Sequence, residues 1–146
     1  MKTWRYYSLV VVGLVSVLTL LGCTTGAMKA PTDAGMVVYT RGSSLHTATI
    51  QIAKPASEVY AAMLRAVAKY PEKVTVVNNN EKGYLLEVNH EGKRLTAQAM
   101  EVDAYTTLFF IWADAGASGQ TGKNLALRAA QEICAELKIQ CQMKDL

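Results

Sequence analysis

The chain has 146 residues, 51% of them hydrophobic and 18% charged, with a formal net charge of +3. That length suits one domain with a sizeable core. Without Lys2 and Arg5, 13 basic residues face 12 acidic ones, which leaves no electrostatic case for nucleic acid.

At the N-terminus, Lys2 and Arg5 precede an uncharged run from Leu9 to Leu21, which closes on Leu20-Leu21-Gly22-Cys23. A positive start, a short apolar stretch and small residues at a cleavage point mark a secretory signal. The run is short for a membrane span, which needs roughly 18 or more apolar residues. The pattern resembles the bacterial lipoprotein precursors. That resemblance implies cleavage between Gly22 and Cys23. Cys23 would then carry diacylglycerol and an acyl chain, and would anchor the chain to a membrane outside the cytoplasm. Thr24 stands where Asp resembles an inner-membrane retention signal, so an outer-membrane anchor facing the periplasm is favoured. The expected organisation is a signal peptide over 1–22, a lipidated cysteine and tether over 23–43, and a single domain over 44–146.

Residues 24–35 are small and polar, broken by Pro31 and Gly35, as a tether should be. Met36 to Thr40 reads either as a short first strand or as an ordered part of the tether, and Arg41 to Ser44 as a turn. Leu45 to Ile52 alternates and reads as a strand, with Ala48, Ile50 and Ile52 on one face. Pro55 opens a helix whose apolar face is Val59, Met63, Ala66, Val67 and Tyr70, and Pro71 ends it. Strands follow at 74–77, 84–89, 95–102 and 105–113, with a turn over 78–83 and another over 90–93. A Gly/Ser loop over 114–122 leads to a closing helix with Ala126, Ala130, Ile133 and Leu137 on one face.

The expected fold is α+β: a two-layer sandwich with an antiparallel sheet of about five strands and two helices on one face, in the order β-α-β-β-β-β-α. That order resembles a reduced helix-grip arrangement. It is also similar to a family of small bacterial lipoproteins of unknown function. The likeness rests on Tyr39, Gly42 and Leu45, on Val59-Tyr60-Ala61-Ala62, and on the Gly-rich turn into the closing helix. It covers residues 36–138 and implies a fold and an address, but no activity.

Once Cys23 carries lipid, Cys134 and Cys141 remain. Within one straight helix they would lie about 10 Å apart along the axis, beyond the roughly 7 Å limit for a bridge. A disulfide therefore requires the helix to end near Lys138 and the chain to fold back. The alternative is a buried helix cysteine and a free tail thiol.

The stretch Ala117 to Asn124 imitates a phosphate loop but lacks its first glycine and its Ser/Thr, so no nucleotide is expected. His46 and His90 have no companion at ligand spacing, so neither metal nor cofactor is expected. No nucleophile elbow or paired carboxylates announce a catalytic site.

Leu108 to Ala113 is apolar on both faces, which a half-solvated strand is not. One explanation is a curved sheet whose outer side is covered by residues 36–43. A second is a contact surface for an envelope protein or a second copy, with Tyr105, Phe109 and Ile111 as contacts. A third is a pocket for an apolar ligand such as a lipid chain, between the sheet and the closing helix near Phe110, Trp112 and Ile133. The leading expectation is a non-catalytic accessory subunit working through a protein surface. Binding of a small apolar ligand comes next, and an envelope hydrolase last.

Overall fold

The computed structural model describes residues 34–43, 45–114 and 119–145. Strands β1 (Ala34–Arg41) and β2 (His46–Ile52) form an antiparallel hairpin, and helix α1 (Ala56–Ala68) follows. Strands β3 (Val74–Asn80), β4 (Leu85–His90), β5 (Lys93–Asp103) and β6 (Thr106–Asp114) make an antiparallel meander. Helix α2 (Gly119–Glu136) and strand β7 (Gln140–Asp145) complete the chain. The seven strands form one sheet in the order β3-β4-β5-β6-β2-β1-β7, and only the outermost β1–β7 pair is parallel.

The fold is the expected α+β class, with two strands more than expected. β1 is a full strand of the sheet, so residues from Ala34 onward belong to the domain and not to the tether. Nor does this segment cover the outer side of the sheet. It lengthens the sheet at its edge by pairing with β2 on one side and β7 on the other. β7 has no apolar alternation of its own and forms because β1 offers it an unpaired edge. β3 runs on to Asn80, so the turn predicted over 78–83 shrinks to a single 3₁₀ turn, Glu81–Gly83. The signal-peptide residues, the Gly22–Cys23 cleavage point and the tether up to residue 33 lie outside the described residues, as do Ala117 and Ser118 of the loop before α2.

One sheet face carries the core. His46, Ala48, Ile50 and Ile52 of β2 alternate inward with Phe109, Ile111 and Ala113 of β6, and all are buried. The helices close over them. α1 buries Val59, Met63 and Ala66 of the face its sequence period predicts, whereas Val67 is half-buried and Tyr70 lies beyond the helix end, 41% exposed. α2 buries Ala126, Ala130, Ile133 and Leu137, again the predicted face. Small residues at i, i+4 spacing, Gly122, Ala126, Ala130 and Cys134, let its backbone lie close on β2. Gly122 sits directly against the His46 ring, leaving no room there for a methyl group. His46 is itself held by a 2.7 Å hydrogen bond between its Nδ1 and the Tyr39 hydroxyl.

The end of α2 explains the cysteines. Lys138 takes a left-handed conformation, φ 56°. Its N–H donates to Ala135 O at 3.1 Å, and the Ile139 N–H donates to Cys134 O at 3.0 Å. This helix-terminating motif turns the chain back on itself, usually with glycine in the left-handed position. Cys141 thereby reaches Cys134, with Cα atoms 6.1 Å apart, and the two are disulfide-bonded. Gly35 pairs with Cys141 across β1 and β7, and a side chain there would press on Cys141 Sγ and Ile50 Cγ2, at 3.2 and 2.9 Å.

Two outcomes follow for stability. Replacing both Cys134 and Cys141 by alanine should cost about 2–3 kcal/mol, the entropy of a loop this short, read from chemical denaturation. Gly122→Ala should cost about 1–3 kcal/mol by overpacking against His46, measured the same way.

Candidate functional site

The two helices diverge over the sheet and leave a space between them of about 410 Å³. Its floor is the inner face of β4, β5 and β6, with Leu86, Leu95, Phe109 and Ile111. Met63 and Val67 of α1 make one wall, and Leu125, Ala129 and Ile133 of α2 the other. Polar groups gather at the rim, where Lys73, Glu91 and Arg128 are exposed and His90 and Glu132 are half-buried. The Tyr70 hydroxyl donates to Glu132 Oε1 at 3.2 Å across the rim. Lys73 and Arg128 take part in no ion pair among the described residues.

A charged clamp links the two helices. Glu136 of α2 accepts from Arg65 Nε at 3.1 Å and also pairs with Lys69, which follows α1. The Lys69 bond first, and the Arg65 bond second, hold the Glu136 carboxyl below its ordinary 4.5. The bond to Glu136 raises the Lys69 ammonium above its ordinary 10.5, with burial opposing.

The sequence-predicted residues divide by the two faces of β6. Phe109 and Ile111, expected on a partner surface, are 0% and 1% exposed and form the cavity floor. A buried side chain cannot make that contact. Phe110 and Trp112, expected in the pocket, lie on the opposite face, half-buried and stacked with centroids 5.5 Å apart. Alternation along the strand forces this exchange, because once Phe109 and Ile111 point inward their neighbours point out. Ile133 does line the cavity. Tyr105 is 78% exposed at the β5–β6 turn, away from Phe109 and Ile111. His46 is buried under α2, whereas His90 is at the rim. No group of three His, Cys, Asp or Glu side chains comes together among the described residues.

The rim residues Tyr70, Lys73, Arg128 and Glu132 were not singled out as a set from the sequence. One signal was present in α2. Leu125 and Ala129 form a second apolar stripe beside Ala126 and Ala130, wider than packing on the sheet alone demands. That flank faces the cavity, with Arg128 and Glu132 at its border.

No family model matches the chain, and no curated protein matches it. Among solved structures, it is similar to an aromatase/cyclase (Zhui) from Streptomyces sp. R1128, with TM-score 0.43 and 13% identity over 64% of this chain and 93% of that one. It is also similar to a conserved protein of unknown function from Enterococcus faecalis, with TM-score 0.47 and 7% identity over 70% of this chain and 77% of that one.

The clamp has a pH signature with a definite sign. The lowered Glu136 contributes stability above its ordinary range, lost as pH falls through its folded-state value. The raised Lys69 contributes stability below its ordinary value, lost as pH rises through its folded-state value. Glu136→Gln should therefore lower Tm slightly at neutral pH and less so at either extreme. Exposure to solvent keeps the effect small and salt-sensitive. Thermal melts across a pH series at two salt concentrations check this.

Proposed function

We propose that this chain is a membrane-tethered, non-catalytic binding protein of the cell envelope, and that it holds a small amphiphilic molecule between its helices and its sheet. One observation supports the reading above all. The space between α1, α2 and the sheet is an apolar cleft of about 410 Å³ with its polar groups confined to the rim. Its size falls within the ~300–1,000 Å³ of small-molecule sites, which combine apolar walls with a few placed polar groups. Hydrocarbon buried against Phe109, Ile111 and Ile133 would supply affinity at about 25 cal/mol per Å². Tyr70, Lys73, His90 and Arg128 would meet a polar head at the rim. A binding role fits better than a chemical one because the deep side chains are hydrocarbon and offer no acid, base or nucleophile.

This reading changes the ranking the sequence alone suggested. An accessory role through Phe109 and Ile111 loses its contact residues, since both are in the cavity floor. The address in the envelope still rests on the Leu-Leu-Gly-Cys pattern ending at Cys23.

Native mass spectrometry of residues 24–146, secreted to the periplasm, should find an added mass that denaturation releases. Ala129→Phe, which places a ring in the cleft, should abolish that mass and leave the circular dichroism spectrum unchanged. A bare chain for both proteins, with no rise in Tm on adding single-chain fatty acids or lysolipids, would contradict the reading.

A further inference from the structure

A different part of the molecule, the end of the sheet where the chain arrives from its N-terminal segment, also carries exposed apolar side chains. The register places Met100, Leu108, Gln51 and Met36 in one row across β5, β6, β2 and β1. This row lies on the sheet face away from the helices, because Phe109 and Ala99 of the neighbouring positions are buried on the helix side. Met36 is 52% exposed and Met100 49%. Beyond the row, Val102 at the register shift of β5 is 62% exposed and Tyr105 in the β5–β6 turn 78%. The Tyr105 N–H donates to Asp103 Oδ1 at 2.8 Å, which braces the turn.

Ala34 precedes Met36 at this same end, so the chain joins the domain here. β1 and β6 are separated only by β2, which is about 10 Å at the usual strand spacing. The ten residues between Cys23 and Ala34 span at most about 35 Å when fully extended. If Cys23 is held in a bilayer, the tether from it enters the domain at this end.

We propose that the sheet end formed by Met36, Met100, Val102 and Tyr105 rests on the lipid bilayer that holds the N-terminal anchor. The proposal rests on lipidation at Cys23 and is independent of what the cleft binds. Its chemistry is interfacial. A tyrosine presents an apolar ring and a polar tip, the combination that settles at the headgroup level. Charge does not drive it. Lys54 near this end is paired with Glu58 at 2.7 Å, and both signs of charge occur here, with Glu101 and Asp103 among the last residues of β5 and Lys138 in the α2–β7 turn. Docking should therefore be indifferent to the anionic lipid content.

The test uses the full-length gene product, purified from membranes and reconstituted into phosphatidylethanolamine/phosphatidylglycerol vesicles with brominated acyl chains. Cleavage before Cys23 leaves Trp112 as the single tryptophan, so Trp112→Phe gives a dark background. Onto it are placed Tyr105→Trp at the proposed contact and Leu45→Trp at the opposite end, where Leu45 is 43% exposed. Both sites are exposed turns, and neither substitution disturbs the core. Bromine should remove about half of the emission from position 105 and almost none from position 45, with either lipid charge. Equal, weak quenching at both positions would overturn the proposal. So would a position 105 protected from both bromine and aqueous acrylamide, the mark of a second copy or another protein on this surface. An unmodified N-terminal mass and failure to float with the vesicles would overturn the anchoring itself, a result distinct from the other two.

Discussion

The width of the sheet against the width of two helices is the constraint on which the rest depends. Seven strands about 4.8 Å apart place their outer axes about 29 Å from each other. Two helices at ~10 Å spacing cover about 20 Å. They cannot roof the whole face, and their positions are not free. The seam of Gly122, Ala126, Ala130 and Cys134 pins α2 down onto β2, and the disulfide fastens its end to β7. α1 starts directly after β2 and packs toward β5 and β6. What remains between them is the cleft. The outermost strand β3 is left almost wholly exposed by the same shortfall.

The clamp at Glu136 ties the two helices together beside that shortfall. Arg65 and Lys69 both pair with one carboxylate and so link the C-terminal ends of the two helices, weakly because the two cations are exposed. The cleft is lined by side chains whose backbones are each committed elsewhere. Phe109 and Ile111 are held by the pairing of β6 with both β2 and β5. The floor is apolar and the rim is polar, an arrangement that would suit the proposed amphiphile with its hydrocarbon inside and its head at the rim. His90 and Glu91 place part of the rim at the end of the sheet opposite Ala34.

Local period carried much of the fold. The faces of α1 and α2 were legible from apolar residues at i, i+3 and i+4, because each helix buries one stripe against one sheet. Leu108 to Ala113 was legible as a strand with two apolar faces, but not which face turns inward. Period two is symmetric under a one-residue shift, and only the distant pairing with Ile50 and Ala48 breaks the tie. β7 was invisible because Gln140 to Asp145 has no pattern of its own, and its strand state comes from β1, a hundred residues upstream. The cleft was invisible for a deeper reason. A gap between nonlocal elements leaves no mark at any one position, and only the unusually wide apolar flank of α2 at Leu125 and Ala129 hinted at it.

The central claim is that ligand chemistry belongs to the helix side of β6 and not to the aromatic pair on its outer side. Methyl-resolved NMR of the mature domain, titrated with a single-chain fatty acid, separates these most directly. We expect shifts and intermolecular NOEs at the methyls of Leu86, Ile111, Leu125 and Ile133, with the Leu108 methyls and the Trp112 indole unmoved. Shifts confined to Leu108 and the Trp112 indole, with Ile111 and Ile133 silent, would contradict the claim.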